Sequence, residues 1–182
     1  FPNKNNLIFG NKTLIKRAVD QAFKSRLFDK VIFSSDSEDY LNSISKQKNL
    51  VKIKRPLNLS LSESSKWKVF RHAVEEIEKQ FPNNKVEYIA DLDVTVPNRK
   101  LDHIFNSFNL LKKNKKCVII TAYEGERSPY FNIIEKNSDN WEVSKKISDR
   151  IVKNRQESPE ILFLSTSVFF FSKKKLFNIN HW

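Results

Sequence analysis

Cysteine and glycine are nearly absent, and no long apolar run is present. The single Cys117 leaves no partner for an internal disulfide. It falls in the apolar run Cys117-Val118-Ile119-Ile120, where a buried structural thiol is expected rather than a nucleophile. Gly10 and Gly125 are the only glycines, so a glycine-rich phosphate loop has little to be built from. No stretch approaches the roughly 18–20 apolar residues that cross a bilayer, and the opening Phe1-Pro2-Asn3-Lys4-Asn5 lacks the layout of a signal peptide. A cytoplasmic protein, neither secreted nor membrane-spanning, is expected. His72 and His103 fall on expected helices and His181 near the end, so no metal triad is indicated.

What is present is positive charge: 33 Lys and Arg against 21 Asp and Glu, a formal +12. Nucleic-acid binding would need those cations clustered. The densest runs, Lys112-Lys113-Asn114-Lys115-Lys116 and Lys173-Lys174-Lys175, sit between apolar segments and lack interleaved aromatics. They read as solvated surface, with a share in substrate steering, and no nucleic-acid partner is expected. The 182 residues, with fifteen Phe, suffice for one domain with a real core.

Leu14, Ile15, Ala18, Val19, Ala22 and Phe23 mark one face of a helix over Thr13–Arg26, capped by Thr13 or Asn11. Val31-Ile32-Phe33 reads as a buried strand ending in Ser34-Ser35-Asp36, followed by a helix through Leu41 and Ile44 for which Asp36 is a candidate N-cap. The alternation continues with strand Val51–Ile53, a polar loop from Arg55 to Ser65, and a helix presenting Trp67, Phe70, Ala73, Val74 and Ile77. Strand Tyr88–Ala90 comes next, then Asp91-Leu92-Asp93-Val94-Thr95-Val96-Pro97, a helix with Leu101, Ile104, Phe105, Phe108 and Leu111, and strand Cys117–Thr121. Such alternation implies parallel pairing through right-handed crossovers, hence an α/β, Rossmann-like, open and mostly parallel sheet with helices on both faces. Beyond Tyr123 the pattern breaks, and Tyr130–Ile134 and Ile161–Phe171 read as extended segments of a mixed edge or of a dimerising excursion. Ser167–Phe171 reads equally as a central strand buried within the monomer.

Ligands of such sheets lie at the carboxyl ends of the strands. That rim carries carboxylates (Asp36, Asp91, Asp93) and basic or hydroxyl groups (Lys4, Arg55, Ser64, Ser65, Arg99, Arg155). Nucleotidyl transfer needs both kinds, cations for phosphates and carboxylates for a metal ion. Asp93, beside a second acid at the end of an apolar strand, is costly in a purely structural role.

Five short motifs occur in one order: Pro2-Asn3-Lys4-Asn5; Phe28-Asp29-Lys30-Val31-Ile32-Phe33-Ser34-Ser35-Asp36; Arg55-Pro56 with Ser64-Ser65; Asp93-Val94-Thr95-Val96-Pro97-Asn98-Arg99; and Arg155-Gln156. In this they resemble the acylneuraminate cytidylyltransferases, enzymes of the nucleotide-diphospho-sugar transferase fold. The resemblance implies one nucleotidyltransferase domain over 1–182, incomplete at both ends, with 130–171 as a dimerisation or edge region. It implies transfer of CMP from CTP to an acidic nine-carbon, nonulosonic sugar with release of pyrophosphate, Mg²⁺ as cofactor, a homodimer, and a role in surface lipopolysaccharide or capsule synthesis. It also assigns roles. Lys4 and Asp93 would be catalytic; Asn5, Arg55, Ser64, Ser65 and Thr95 would bind nucleotide; Arg99, Arg155 and Gln156 would bind the sugar acid. The metal ligands stay unassigned, because the sequence stops at Asn180-His181-Trp182, before the Asp-x-Asp segment to which the resemblance assigns the metal. Asp93 replaces a usual glutamine, and Phe163-Leu164-Ser165-Thr166 replaces a second sugar-contacting segment. A sugar-phosphate nucleotidyltransferase and a non-catalytic nucleotide- or nucleic-acid-binding module are the alternatives.

Overall fold

The computed structural model describes residues 4–61, 63–114, 118–137, 140–143 and 152–178, with backbone alone at 137 and 140–143. The expectations for Cys117, for Phe1 to Asn3 and for His181 fall outside them. Two compact units divide the chain: Phe1–Thr121 with Thr166–Trp182, and Ala122–Ser165.

In the first unit a short 3-10 turn, Lys4–Asn6, leads to a hairpin of β1 (Ile8–Phe9) and β2 (Lys12–Thr13), turned by Gly10 at φ 67°. Helix α1 (Leu14–Ser25) follows. Its cap is Thr13, whose side chain accepts from Lys16 N, and it buries Ile15, Ala18, Val19 and Ala22, the stripe that the periodicity marks. Strand β3 (Val31–Ser35) runs parallel to β4 (Leu50–Lys54), with Val31 opposite Leu50 and Ser35 opposite Lys54. Helix α2 (Glu38–Ser43) lies between them in sequence, and its cap is Ser37 rather than Asp36. The Ser37 hydroxyl accepts from Tyr40 N at 3.3 Å, whereas the Asp36 carboxylate turns to Arg55.

Helix α3 (Lys66–Gln80) is capped by Ser65, strand β5 (Tyr88–Asp91) leads into helix α4 (Leu101–Lys113), and β6 (Ile119–Glu124) follows. Strand β9 (Leu162–Ser172) sits between β5 and β6 in a three-stranded sheet, antiparallel to β5, and helix α5 (Lys173–Asn178) closes the described chain. The expected edge segment Ile161–Phe171 is therefore an interior strand along its second half. The reason is its composition. Phe169 and Phe171 pack with Trp67, Val74 and Leu176 on one face, while Val168 and Phe170 pack with Ile104 and Leu111 on the other. A strand covered by helices on both sides needs apolar residues at every position, not at alternate ones. The α/β layering that the alternation implies is present, with β9 as its antiparallel member.

The second unit holds the antiparallel pair β7 (Ile134–Asn137) and β8 (Asn140–Val143) and a 3-10 turn at Arg155–Glu157. Tyr130 to Asn132, expected as extended, instead form a turn. Pro129 follows Ser128, whose carbonyl accepts from Phe131 N at 3.1 Å and Asn132 N at 2.8 Å. Gly125 is obligatory, since a Cβ there would lie 1.9 Å from the Phe163 ring. Among the described residues, no helix is long and apolar enough to cross a membrane.

Candidate active site

The site grows from the end of β5. After Asp91 the chain turns back through 93–99, and Asp93 organises that turn: its Oδ1 accepts from Thr95 N at 2.8 Å and from the Thr95 hydroxyl at 2.7 Å. This leaves Oδ2 of Asp93 free to accept from the Lys66 ammonium at 2.9 Å, and Asp91 Oδ2 accepts from the same ammonium at 3.3 Å. Lys66 is the first residue of α3, where the helix dipole disfavours a cation. Two carboxylates outweigh that cost. The lysine side chain is 51% exposed against 20% and 15% for Asp91 and Asp93, so its ammonium stands between solvent and the acids.

Their ionisation is uneven. Burial pushes the Asp91 carboxyl above its ordinary range despite Lys66, with Asp93 adding to the push. Burial acts on Asp93 in the same sense, but the Thr95 and Lys66 hydrogen bonds overcome it and hold Asp93 below the usual range. Lys66 is desolvated too, yet the two acids raise it. One hydrogen-bonded cluster thus holds a carboxyl drawn below its ordinary range, a carboxyl pushed above it and an ammonium raised between them.

Arg99 is buried, and burial draws it below its ordinary value. Its guanidinium donates to the carbonyls of Asp93 at 3.0 Å and Ser167 at 2.6 Å and to Gln21 Oε1 at 3.1 Å, and Gln21 Nε2 donates back to the Arg99 carbonyl at 2.6 Å. It ties α1, the 93–99 turn and β9 together, which is a brace beneath the acids. At the end of β4, Arg55 N donates to the Ser35 carbonyl at 2.9 Å and its guanidinium faces Asp36 at 3.4 Å. Arg55, Lys66 and Asp91, from the carboxyl ends of β4 and β5 and the start of α3, all line one cavity.

The other expected residues are placed as follows. Lys4 is exposed on the first 3-10 turn, and beside it Asn5 has a buried Oδ1 with no hydrogen-bond partner. Ser64 donates to the Asn58 carbonyl at 2.9 Å, and Ser65 is committed to capping α3. In the second unit Arg155 and Arg127 border a hollow of about 330 Å³, and Gln156 is exposed. The sequence reading passed over Lys66, Gln21 and Arg127. Lys66 did carry a signal: a basic residue directly after an N-cap, where the dipole opposes it. Among the described residues, no group of three or more metal-capable side chains occurs.

An α/β sheet with phosphate-seeking cations and paired acids at its strand ends is the layout of a nucleotidyltransferase. Residues 1–181 match the cytidylyltransferase family, and the chain belongs to it. It is 29% identical over 171 residues to post-translational flagellin modification protein B of Campylobacter coli, covering 94% of this chain and 71% of that protein. It is 28% identical over 174 residues to CMP-N,N'-diacetyllegionaminic acid synthase of Campylobacter jejuni, covering 96% and 72%. A pseudaminic acid cytidylyltransferase of Campylobacter jejuni is 28% identical over 125 residues, 69% of this chain and 53% of that protein. In fold, the chain is similar to 4-diphosphocytidyl-2C-methyl-D-erythritol synthase of Anaerococcus prevotii, with a TM-score of 0.60 at 15% identity over 94% of this chain and 67% of that one.

Proposed function

We propose that the protein transfers CMP from CTP to the anomeric hydroxyl of a nonulosonic sugar acid. The observation that carries this reading is the Lys66–Asp91–Asp93 cluster at the strand ends of a cytidylyltransferase, supported by relatives whose names specify legionaminic and pseudaminic acids. In the reaction the sugar oxygen bonds to the α-phosphorus, the bond from that phosphorus to the departing oxygen breaks, and pyrophosphate leaves while the hydroxyl proton passes to water.

The residues present fit a divalent cation, since two carboxylate oxygens already converge on one positive charge. Asp91 and Asp93 would hold magnesium, with nucleotide phosphates completing its shell; the ion would neutralise charge developing on the phosphates. Lys66, released from the acids, reaches the same phosphates as a mobile cation. Thr95 keeps Asp93 oriented, and Arg99 fixes the turn from below as a positioning residue. Arg55 and the loop carrying Ser64 and Ser65 face the nucleotide, joined by Lys4 and Asn5. In the second unit Arg155, with Arg127 beside it, offers forked donors suited to a carboxylate, and Gln156 lies next to them. A cytoplasmic homodimer using 130–171 completes the reading.

The test is pyrophosphate release with magnesium across CTP, UTP, GTP and ATP, each paired with legionaminic, pseudaminic and sialic acids and with hexosamine 1-phosphates. Release with CTP and one nonulosonic acid, reduced at least about a hundredfold by Asp93→Ala, is expected. Release only with another nucleotide and a sugar phosphate would replace the substrate while keeping the chemistry.

A further inference from the structure

The first turn of α3 carries Lys66 to the acid pair, and a helix start is the part of a helix most prone to fray, since its amides lack intrahelical partners. The Ser65 hydroxyl accepts from Trp67 N at 3.2 Å, which satisfies one of those amides. Lateral restraint comes from α5. The indole Nε1 of Trp67 donates to the Leu176 carbonyl at 2.8 Å, and Nε of Arg71, one turn further along α3, donates to the same carbonyl at 2.9 Å. Leu176 stands in the last turn of α5, where helix carbonyls have no intrahelical donor, so its two lone pairs are open to side chains. Nearer the start of α5 the Lys173 ammonium donates to both carboxylate oxygens of Glu78, at 2.7 and 2.6 Å. Helix α5 therefore runs beside α3 in the opposite sense, pinned to it twice.

Trp67 is 3% exposed, and its ring packs on Phe171 and Phe70 with centroids 5.1 and 6.2 Å away. Such apolar contacts have no preferred direction and tolerate a small rotation of the helix about its axis. A buried N–H to carbonyl bond does not, because it weakens steeply as its angle opens. Successive helix residues project about 100° apart. Trp67 thus faces α5 while Lys66, beside it, lines the cavity that Asp91 also lines, on the stripe it shares with Val69 and Ala73. Turning one turns the other. At about 5–6 Å from the axis, a rotation of about 20° moves a side-chain tip by about 2 Å. That is enough to break hydrogen bonds of 2.9 and 3.3 Å from the Lys66 ammonium to Asp93 and Asp91.

We propose that Trp67 is a positioning residue for Lys66: its indole bond to the Leu176 carbonyl sets the rotation of the first turn of α3 and so keeps the Lys66 ammonium between Asp91 and Asp93. Ring burial alone does not call for this bond, since an apolar ring would pack there without a partner, whereas an indole N–H in a core needs one. Arg71 donates to the same carbonyl, so removing the indole donor leaves that acceptor satisfied and changes orientation more than stability. For its effect on rate the proposal rests on the nucleotidyl-transfer reading above, whereas its geometric content stands without it.

Trp67→Phe tests it, because it keeps a buried aromatic ring and removes the donor. In EDTA at neutral pH, the carboxyl-carbon NMR signal of Asp93 should move part of the way from its wild-type position toward its position in Lys66→Met. Pyrophosphate release should fall about tenfold in Trp67→Phe. The same change made in Lys66→Met should cost less than about twofold, because the lysine through which Trp67 acts is gone. An equal fold-loss in both backgrounds would mean that Trp67 serves stability alone and would overturn the proposal, as would an Asp93 signal that stays at its wild-type position. Should Trp67→Phe fail to fold, a benzothienyl analogue of tryptophan at position 67, with sulfur in place of the N–H and nearly the same shape, is read in the same two ways. A wild type that releases pyrophosphate from none of the nucleotide and sugar pairs would remove the proposed function, and the Asp93 signal would then decide the positioning role by itself.

Discussion

Strands β5 and β9 are neighbours in one sheet and do opposite work. β9 presents Val168, Phe169, Phe170 and Phe171 between helices on both faces, each 6% exposed or less. β5 keeps one edge open and ends in two carboxylates gathered by a half-exposed lysine. The first arrangement gains stability from its buried residues; the second spends some, because burial of the Asp91 carboxyl disfavours its charged form. The difference shows stability and chemistry assigned to adjacent strands, close enough for the rigid one to position the reactive one. Arg99 is the link, since it donates to the Ser167 carbonyl of β9 and the Asp93 carbonyl beyond β5.

The largest effect should follow from breaking β9. Phe171 is fully buried against Trp67 and Phe70, with ring centroids 5.1 and 5.4 Å away. Phe171→Ala is expected to cost about 3–5 kcal/mol of unfolding free energy, by loss of burial and by the cavity left behind. Denaturant titration measures it. A loss below about 1 kcal/mol would mean that this face of β9 is not the core described.

Substitution at β5 should carry the opposite signature. Asp91→Asn keeps the shape of the side chain and removes a charge that burial disfavours. Thermal stability in EDTA at neutral pH should hold or rise, while the rate of pyrophosphate release falls at least about a hundredfold, or roughly 2.7 kcal/mol in barrier. Stability and activity falling together, as for Phe171→Ala, would erase the division of labour between the two strands.

How far the sequence foretold this follows from what each residue depends on. The α1 stripe and its Thr13 cap are local, so periodicity found them. The rim acids were legible because an acidic pair closing an apolar strand is conspicuous. Ser37 rather than Asp36 caps α2 because Arg55, remote in sequence, engages Asp36. Lys66 escaped for the same reason: its partners lie more than twenty residues away, across a crossover. The resemblance implies a substrate contact for Arg99, and only the fold shows that its buried guanidinium donates to two carbonyls and to Gln21. No sequence pattern announces that β3 and β5 line one cavity, because each strand alone has ordinary composition.

The smallest effect sharpens the comparison most. Lys66 is half exposed, so solvent screens its ion pairs, and Lys66→Met should cost at most about 1 kcal/mol in EDTA. Its pH dependence has a fixed sign. The folded-state pKa of Lys66 is raised, so its contribution is fully present below about pH 10.4, the unfolded value, and disappears as pH rises through the folded value. The folded pKa of Asp93 is depressed, so the same pair is present above about pH 3.9 and is lost as pH falls through the folded value. Wild type and Lys66→Met should therefore differ by a plateau across neutral pH that closes at both extremes, measured by denaturant unfolding in EDTA. A difference that already closed well above about pH 3.9 on acidification would show that Lys66 answers to Asp91, whose carboxyl is raised, more than to Asp93. The firm ion pair would then have been assigned to the wrong carboxylate.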